Sequence, residues 1–241
     1  MAVIQSLLDQ DLYKLTMMQT VLHQFPEAQV RYRFKCRNQA VLSPFIYEIE
    51  QEIKHLCTLR YTEDELEYLA KMSFFKSDFI DFLRLVQLDM RYVKITAQGD
   101  EIDIRIEGPW LQTIQFEVFV LAIVQEVYSR NVYADVDVKE GQKRLADKIA
   151  FVKQSPEKED LVFADFGTRR RFSREWQEYV VQTLCENFGK ETFMGSSNMY
   201  LAYKYDLKAI GTMAHEYLQA GQALGPSLKL SQKFMLEKWV Q

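Results

Sequence analysis

The chain has 241 residues, of which 48% are hydrophobic and 27% are charged, and its net charge at pH 7 is −4. This composition is typical of a folded globular protein and excludes a chain that is disordered, collagenous or coiled-coil throughout. Since 30 basic residues stand against 34 acidic ones, no overall basic surface points to nucleic-acid binding.

Three features bear on the cellular compartment. The longest apolar stretch, from Trp110 to Ala122, contains Gln112, Gln115 and Glu117, so we expect no segment to span a bilayer. The amino terminus has no basic region ahead of an apolar run, so we expect no secretory signal. The cysteines are odd in number and far apart, which is typical of free thiols and predicts a cytoplasmic protein.

The first half of the chain predicts a mixture of helices with an antiparallel strand pair. Apolar residues recur every three or four positions, which predicts helices, over residues 7–22, 44–57 and 62–86. From Val30 to Cys36 apolar residues alternate with Arg and Lys, which predicts a strand with one cationic face. Residues 92–96 and 102–106 predict a hairpin that turns at Gly99.

After Gly108 and Pro109 the pattern changes to that of parallel α/β units. A long apolar helix is predicted over residues 110–130, and a more charged one over 138–153. Short strands then alternate with helices, with strands predicted at 161–166, 192–194 and 207–210 and helices at 173–188, 197–205 and 214–220. We therefore predict an α+β domain over residues 1–112 and the start of an α/β layer or barrel over 113–241. About three units are visible, too few to close a barrel.

Three loops that follow the predicted strands carry polar side chains, at residues 165–171, 195–198 and 211–216. The carboxyl ends of parallel strands meet at one edge of a sheet, so we expect all three loops to open there. The first loop holds Arg169, Arg170 and Arg171, and guanidinium groups bind carboxylate or phosphate. The alternative is a basic turn that is merely solvated.

The other two loops are weak signals when each is taken alone. Gly195, Ser196 and Ser197 lead into a helix, where a serine is either an ordinary N-cap or part of an anion site. His215 beside Glu216 is either a structural histidine or a nucleophile. The sequence has no H-E-x-x-H zinc motif, P-loop, G-x-G-x-x-G fingerprint or nucleophile elbow, and we predict no metal ligands.

Together and in this order, the loops resemble the nicotinate phosphoribosyltransferase family. The motifs are DFGTRRRFSRE, GSSNMYLA and IGTMAHE, with LLDQDLYK and IRIEGPW earlier in the chain. The second of these motifs departs mildly from the family, which usually has Gly-Thr-Ser-Asn where this chain has Gly-Ser-Ser-Asn. The resemblance covers essentially the whole chain. It implies an α/β fold in which an N-terminal α+β domain precedes the first part of an irregular α/β barrel of the type II phosphoribosyltransferase kind.

The family joins nicotinate to phosphoribosyl pyrophosphate, giving nicotinate mononucleotide and pyrophosphate in NAD salvage, and couples this to ATP hydrolysis through a phosphohistidine. The resemblance therefore implies nicotinate, phosphoribosyl pyrophosphate and ATP as substrates, with Mg²⁺ on the phosphates and no tightly bound organic cofactor. It also implies a homodimer, with no nucleic-acid or membrane partner.

Two kinds of alternative remain open. Within the same enzyme class, the protein is a nicotinamide or quinolinate phosphoribosyltransferase. In a different class, it is an inactive nucleotide- or phosphate-binding fragment, because the family continues beyond this chain's last residue with further phosphate loops. We expect the chain alone to lack full activity unless another polypeptide completes the barrel.

The resemblance also implies roles for single residues. His215 is the catalytic histidine that becomes phosphorylated, and Thr212 contacts nicotinate. Phe166 stacks on one face of the pyridine, and Tyr13 stacks on the other face from across the dimer interface. Arg169 binds the pyridine carboxylate or a phosphate.

Five further residues complete the implied site. Arg170, Gly195 and Ser196 are phosphate contacts. Ser197 sets specificity, because nicotinamide-using relatives place an acid there and a serine tolerates the carboxylate of nicotinate. Glu216 orients the ring of the neighbouring histidine.

Overall fold

The structure, a computed structural model, describes residues 1–37, 40–155 and 160–240. The helices are α1 (Leu12–Gln24), α2 (Ile46–Leu56), α3 (Glu63–Ala70), α4 (Ser77–Leu85), α5 (Trp110–Thr113), α6 (Phe116–Val132), α7 (Val138–Gln154), α8 (Arg174–Asn187), α9 (Met199–Lys204), α10 (His215–Leu224) and α11 (Ser231–Trp239). The strands are β1 (Gln29–Arg33), β2 (Val93–Gln98), β3 (Glu101–Pro109), β4 (Phe163–Asp165), β5 (Phe193–Ser196) and β6 (Lys208–Ala209).

The first three strands form an antiparallel sheet in the order β1-β3-β2. The predicted hairpin is confirmed, and Gly99 at its turn has a φ of +61°, which glycine adopts at little cost. The cationic face of β1 is paired with acids of β3: Arg31 donates two hydrogen bonds to Glu107, and Arg33 donates one to Asp103. Two cations of the predicted strand face, Arg31 and Arg33, are therefore paired with acids of the neighbouring strand, and the strand itself ends at Arg33.

The last three strands form a parallel sheet in the order β4-β5-β6, with α8 and α9 as the connecting helices. Phe163 lies opposite Phe193, and Ser196 lies opposite both Asp165 and Ala209. The predicted rhythm of short parallel strands and helices is confirmed, and with it an α/β arrangement after an α+β beginning.

One apolar core runs across the boundary predicted at residues 112 and 113. Tyr217 of α10 and Met235 of α11 belong to the same buried cluster as Leu15 of α1 and Phe119 of α6. A smaller cluster around Val181 lies between α8 and the parallel sheet. The two domain ranges remain a prediction.

Several predicted helices differ from those observed. The first begins at Leu12 rather than near Leu7, because the preceding backbone bonds to the loop after β5, as described below. The predicted helix over 62–86 is two helices: a capping box of Thr62 and Glu65 begins α3, and the Lys76 amide, just before α4, donates to the Gln19 side chain. The long apolar helix is interrupted at residues 114–115, between α5 and α6.

The stretch Trp110–Val132 bears on the expectation that no segment spans a bilayer. In the part of the chain that the structure describes, this stretch is long and apolar enough to cross a membrane by length and composition alone. However, 72% of its most apolar window is buried inside the protein, which is the environment of a core helix.

Candidate active site

The three predicted loops lie side by side at one edge of the parallel sheet. Pairing continues past the strand ends, because the Ser197 amide donates to the Asp165 carbonyl at 2.8 Å and the Ile210 amide donates to the Ser196 carbonyl at 3.0 Å. The loops after β4, β5 and β6 therefore open in the same direction, as the sequence predicts.

The segment before α1 lies against the middle loop and brings its own side chains to this edge. The Leu12 amide donates to the Ser197 carbonyl, and the Met199 amide donates to the Gln10 carbonyl, each at 2.9 Å. Asp11 forms an antiparallel bridge with Asn198. This docking places Asp9, Asp11, Tyr13 and Lys14 beside the three loops.

Arg171, the last of the three consecutive arginines, is a buried structural residue. Its guanidinium donates to both carboxylate oxygens of Asp9, at 2.7 and 2.9 Å, and both side chains are at most 2% exposed. Asn198 also donates to Asp9, at 2.7 Å, and caps α9. This cluster fixes the first and second loops to the segment before α1.

Ser197 is fully buried and donates to Oδ1 of Asp11 at 2.7 Å. The Nε of Arg169 lies 3.6 Å from the other oxygen of Asp11, and its guanidinium lies 5.7 Å from the Tyr13 ring centroid. Burial raises the pKa of Asp11, although Ser197 and Arg169 oppose the shift. Ser197, Arg169 and Tyr13 are therefore brought together around Asp11.

Asp11 changes the specificity argument for Ser197. The prediction is that a serine at this position tolerates the carboxylate of nicotinate where an acid would repel it, yet the carboxylate of Asp11 lies directly beside Ser197. Positive charge at this place comes from Arg169, whose side chain is 45% exposed and also lies 3.4 Å from Glu117.

The predicted residues that face solvent are Phe166, Arg169, Arg170, Thr212 and His215. The Phe166 side chain is 53% exposed on the loop after β4, so its ring is open to a flat ligand. His215 is the first residue of α10, where the helix dipole favours a bound anion.

The third loop is held beside α1. A Cβ built on Gly211 would lie 3.1 Å from the Leu12 side chain, so this loop packs directly against the start of α1. Glu216, next to His215, accepts hydrogen bonds from Lys14, Tyr32 and Trp110. Orientation of the histidine ring by Glu216 remains a prediction.

Two predicted phosphate contacts have structural roles. Ser196 is fully buried and donates to Asp165 at 2.7 Å. A Cβ on Gly195 would lie 1.9 Å from the Lys208 carbonyl oxygen, so only glycine fits where β5 meets β6. Their contact with phosphate remains a prediction.

Tyr13 is 7% exposed and lies beside Arg169 of its own chain. Burial raises the pKa of its hydroxyl, which is therefore neutral at physiological pH. Its expected contact with a partner's site remains a prediction.

Sequence reasoning missed the charged residues that hold the site together, namely Asp9, Asp11, Lys14, Glu117 and Arg171. A signal for most of them was present, because a charged residue within an apolar helical pattern must find a partner when it is buried. Among the described residues, no three His, Cys, Asp or Glu side chains are grouped so as to hold a metal ion.

Comparisons with known proteins agree on one family. The model of the nicotinate phosphoribosyltransferase N-terminal domain matches residues 8–125, and the model of the nicotinate phosphoribosyltransferase family matches residues 161–241. The chain belongs to the nicotinate phosphoribosyltransferase family. The resemblance inferred from the loop motifs is confirmed.

Individual relatives support this assignment. A nicotinate phosphoribosyltransferase of Cupriavidus necator is 56% identical over 243 residues, which cover 99% of this chain and 62% of that protein. A nicotinate phosphoribosyltransferase of Burkholderia mallei is 54% identical, with 99% and 61% covered. The chain thus spans about 62% of the length of the curated relatives it matches.

Solved structures of the family share the fold. The crystal structure of nicotinate phosphoribosyltransferase from Vibrio cholerae has a TM-score of 0.94 at 36% identity and covers 99% of this chain and 57% of that one. The enzyme from Porphyromonas gingivalis has a TM-score of 0.90 at 31% identity, with 99% and 60% covered. The predicted fold, an N-terminal α+β domain followed by the start of an α/β barrel, is confirmed.

Proposed function

We propose that the protein carrying this chain is a nicotinate phosphoribosyltransferase, which joins nicotinate to phosphoribosyl pyrophosphate in NAD salvage. The observation that carries the proposal is the convergence of Arg169, Ser197 and the His215 loop at one sheet edge, in a chain whose two halves match this family. An alignment of motifs alone does not require these residues to meet in space.

Recognition of the pyridine is assigned to two aromatic rings and one cation. Phe166 offers a ring that is half exposed, and the second ring is assigned to the Tyr13 of a partner protomer. A flat heteroaromatic ring binds well between aromatic faces, and its carboxylate binds a guanidinium through two hydrogen bonds. Arg169 is therefore the group that selects nicotinate over the uncharged nicotinamide.

In the transfer of the ribosyl group to nicotinate, the protein forms no covalent bond with the reactants. The pyridine nitrogen attacks C1 of the ribose as the bond from C1 to the pyrophosphate oxygen breaks, so positive charge develops on the sugar and negative charge on the leaving group. The protein positions the reactants and stabilises these charges. Mg²⁺ enters with the phosphate groups of the substrates, and Arg170, Gly195 and Ser196 are the proposed contacts to those groups.

ATP coupling is assigned to His215, with Thr212 beside it as a contact to nicotinate. A neutral imidazole nitrogen attacks the γ-phosphorus of ATP, and ADP leaves as the N–P bond forms. The phosphoryl group then lies at the N-terminus of α10, which favours negative charge. Later transfer of this group to water restores the histidine and releases phosphate.

A homodimer in the cytoplasm is part of the same proposal, with Tyr13 reaching the partner's site. Complementation tests this arrangement with two variants that should lack ATP-accelerated turnover, Tyr13→Ala and His215→Ala, and the activity compared is the ATP-accelerated one. If Tyr13 acts across the interface, mixed dimers regain activity, because one of their two sites has both residues intact. If Tyr13 acts within its own chain, the mixture stays inactive.

The proposed function is tested by product formation from nicotinate, nicotinamide and quinolinate, each with phosphoribosyl pyrophosphate and MgATP. We expect turnover of nicotinate only, and faster turnover with ATP than without it. Preferred turnover of nicotinamide or quinolinate would assign the protein to another pyridine phosphoribosyltransferase. If no pyridine reacts while ATP or phosphoribosyl pyrophosphate binds, the protein is a binding module.

The histidine assignment has its own test. His215→Ala should abolish ATP hydrolysis and the acceleration by ATP, while product formation without ATP continues. If ATP hydrolysis survives the substitution, the phosphohistidine lies elsewhere.

A further inference from the structure

Lys14 is a fully buried cation shared by two carboxylates from different parts of the chain. Its Nζ lies 2.5 Å from Glu117 of α6 and 2.5 Å from Glu216 of α10, and its side chain is 0% exposed. The Tyr13 and Tyr32 ring centroids lie 5.7 and 5.6 Å from the same nitrogen. A buried lysine is stable only when it is paired, so this arrangement holds α1, α6 and α10 together.

Glu117 connects this lysine to the predicted pyridine contact. Its Oε1 lies 3.4 Å from Nη1 of Arg169, while its Oε2 faces Lys14. Burial alone would raise the pKa of Glu117, but the charges of Lys14 and Arg169 outweigh it and the net shift is downward. Glu117 is therefore an ionised group that Arg169 and Lys14 share.

Glu216 connects the same lysine to the histidine loop. It follows His215 in the first turn of α10, and its Oε1 accepts hydrogen bonds from Tyr32 and from Trp110 Nε1, the latter at 3.1 Å. Its Oε2 faces Lys14. The start of α10 is thus anchored through the Glu216 side chain, and Lys14 supplies the positive charge that pairs with this carboxylate.

We propose that Lys14 is a positioning residue that couples the acid-binding side of the site, Arg169, to the His215 loop through Glu117 and Glu216. This inference rests on the proposed function. When a substrate carboxylate binds Arg169, Glu117 loses a cationic neighbour and depends more on Lys14. Lys14 then interacts less strongly with Glu216, and the anchoring of the first turn of α10 changes.

The coupling is reciprocal, because two sites that bias one shared contact must each alter the affinity of the other. Phosphorylation of His215 therefore changes the affinity of the protein for nicotinate. A purely structural lysine would hold three helices together without making either site respond to the other. Glu117 competes with the substrate carboxylate for Arg169, so removal of the Glu117 carboxylate should tighten nicotinate binding. The response of the His215 loop to bound nicotinate separates the two roles of Lys14.

The test uses Glu117→Gln, which keeps the size of the side chain and leaves the pair of Lys14 and Glu216 intact. The matched control is Glu107→Gln, which removes a carboxylate facing Arg31 on the exterior of the antiparallel sheet. In the protein carrying this chain, we would measure nicotinate and nicotinamide affinity by calorimetry. Amide hydrogen exchange over residues 212–218 would be measured with and without nicotinate.

Glu117→Gln should bind nicotinate about two- to fivefold more tightly, the size expected for one partly exposed ion pair. Nicotinamide affinity should not change, and nicotinate should no longer alter exchange over residues 212–218. Glu107→Gln should behave as the unchanged protein does. Lys14→Met, provided that it folds, should also remove the exchange response.

Unchanged or weaker nicotinate binding in Glu117→Gln would overturn the coupling, as would an exchange response equal to that of the unchanged protein. If the unchanged protein binds nicotinate without any exchange response, the coupling is also wrong, although the proposed function stands. If the unchanged protein binds no nicotinate, the proposed function itself is wrong and the coupling falls with it.

Discussion

Arg171 and Asp9 lie 162 positions apart in the chain and form a buried pair with two hydrogen bonds. The pair joins the loop after β4 to the segment before α1, and that segment also carries Asp11, Tyr13 and Lys14 to the candidate site. The geometry around Arg169 therefore depends on a contact that touches no substrate.

Asp9→Asn tests this dependence, because it removes the charge and retains the shape. The substitution leaves Arg171 with Glu126, 3.3 Å from its Nε, in place of the closer pair with Asp9, and we expect a loss of about 3–5 kcal/mol in the free energy of unfolding. Glu107→Gln at the exposed pair with Arg31 should cost less than about 1 kcal/mol. Urea denaturation of the two variants measures the difference, and equal costs would contradict the structural role.

Gly195 is the second structural element that can be tested. An added Cβ would lie 1.9 Å from the Lys208 carbonyl oxygen, so Gly195→Ala should separate β5 from β6 and cost about 3 kcal/mol. Gly99→Ala is the control, because Gly99 also has a positive φ but no atom near its Cβ, and it should cost about 1 kcal/mol. Thermal unfolding compares them, and a larger loss for Gly99→Ala would refute the packing argument.

Glu126 gives a pH dependence of stability. Burial, opposed by Arg171, raises its pKa from 4.5 to about 7 in the folded chain. Between these values the unfolded chain releases the proton and the folded chain keeps it, so the contribution of Glu126 to stability falls as pH rises through this window. Below the window both states are protonated and the loss is absent.

Glu126→Gln should remove this decline. Its unfolding free energy relative to the unchanged protein should therefore be higher at about pH 8 than at about pH 4, by at most about 3 kcal/mol. Urea denaturation at the two pH values measures this difference. A difference that does not vary with pH, or varies in the opposite sense, would show that Glu126 does not titrate in this way.

Phe166 carries a prediction about affinity rather than stability. Its side chain is 53% exposed, so Phe166→Ala should leave the unfolding temperature nearly unchanged and weaken nicotinate binding about two- to tenfold through lost stacking. Phe151→Ala removes a ring of 76% exposure on α7 and should change neither quantity. Equal effects of the two substitutions on nicotinate affinity would remove Phe166 from the site.

Local patterns were enough to predict the sheet rhythm and the three loops. The alternation of short apolar strands with helices predicted the parallel sheet, and the strand-end positions of the loops that carry Arg169, Ser197 and His215 predicted that these loops open at one edge. These features depend on residues close together in the sequence, which is where periodicity and turn chemistry carry information.

The charged framework of the site was not predictable in the same way. Three consecutive arginines do not show that Arg171 is buried while Arg169 is half exposed, because that depends on Asp9 far away in the chain. The partner of Ser197 is Asp11, 186 positions earlier. Such pairs follow from how the segment before α1 docks, which no local pattern records.

The most direct measurement is the ratio of nicotinate to nicotinamide affinity in the unchanged protein and in Arg169→Met. If Arg169 binds the pyridine carboxylate in a site shared with Phe166, Ser197 and His215, the unchanged protein prefers nicotinate. Arg169→Met should then lose about tenfold to hundredfold of that preference, the worth of a charged hydrogen bond, while nicotinamide affinity changes little. A preference for nicotinate that survives this substitution intact would contradict the assignment of this loop to the pyridine site.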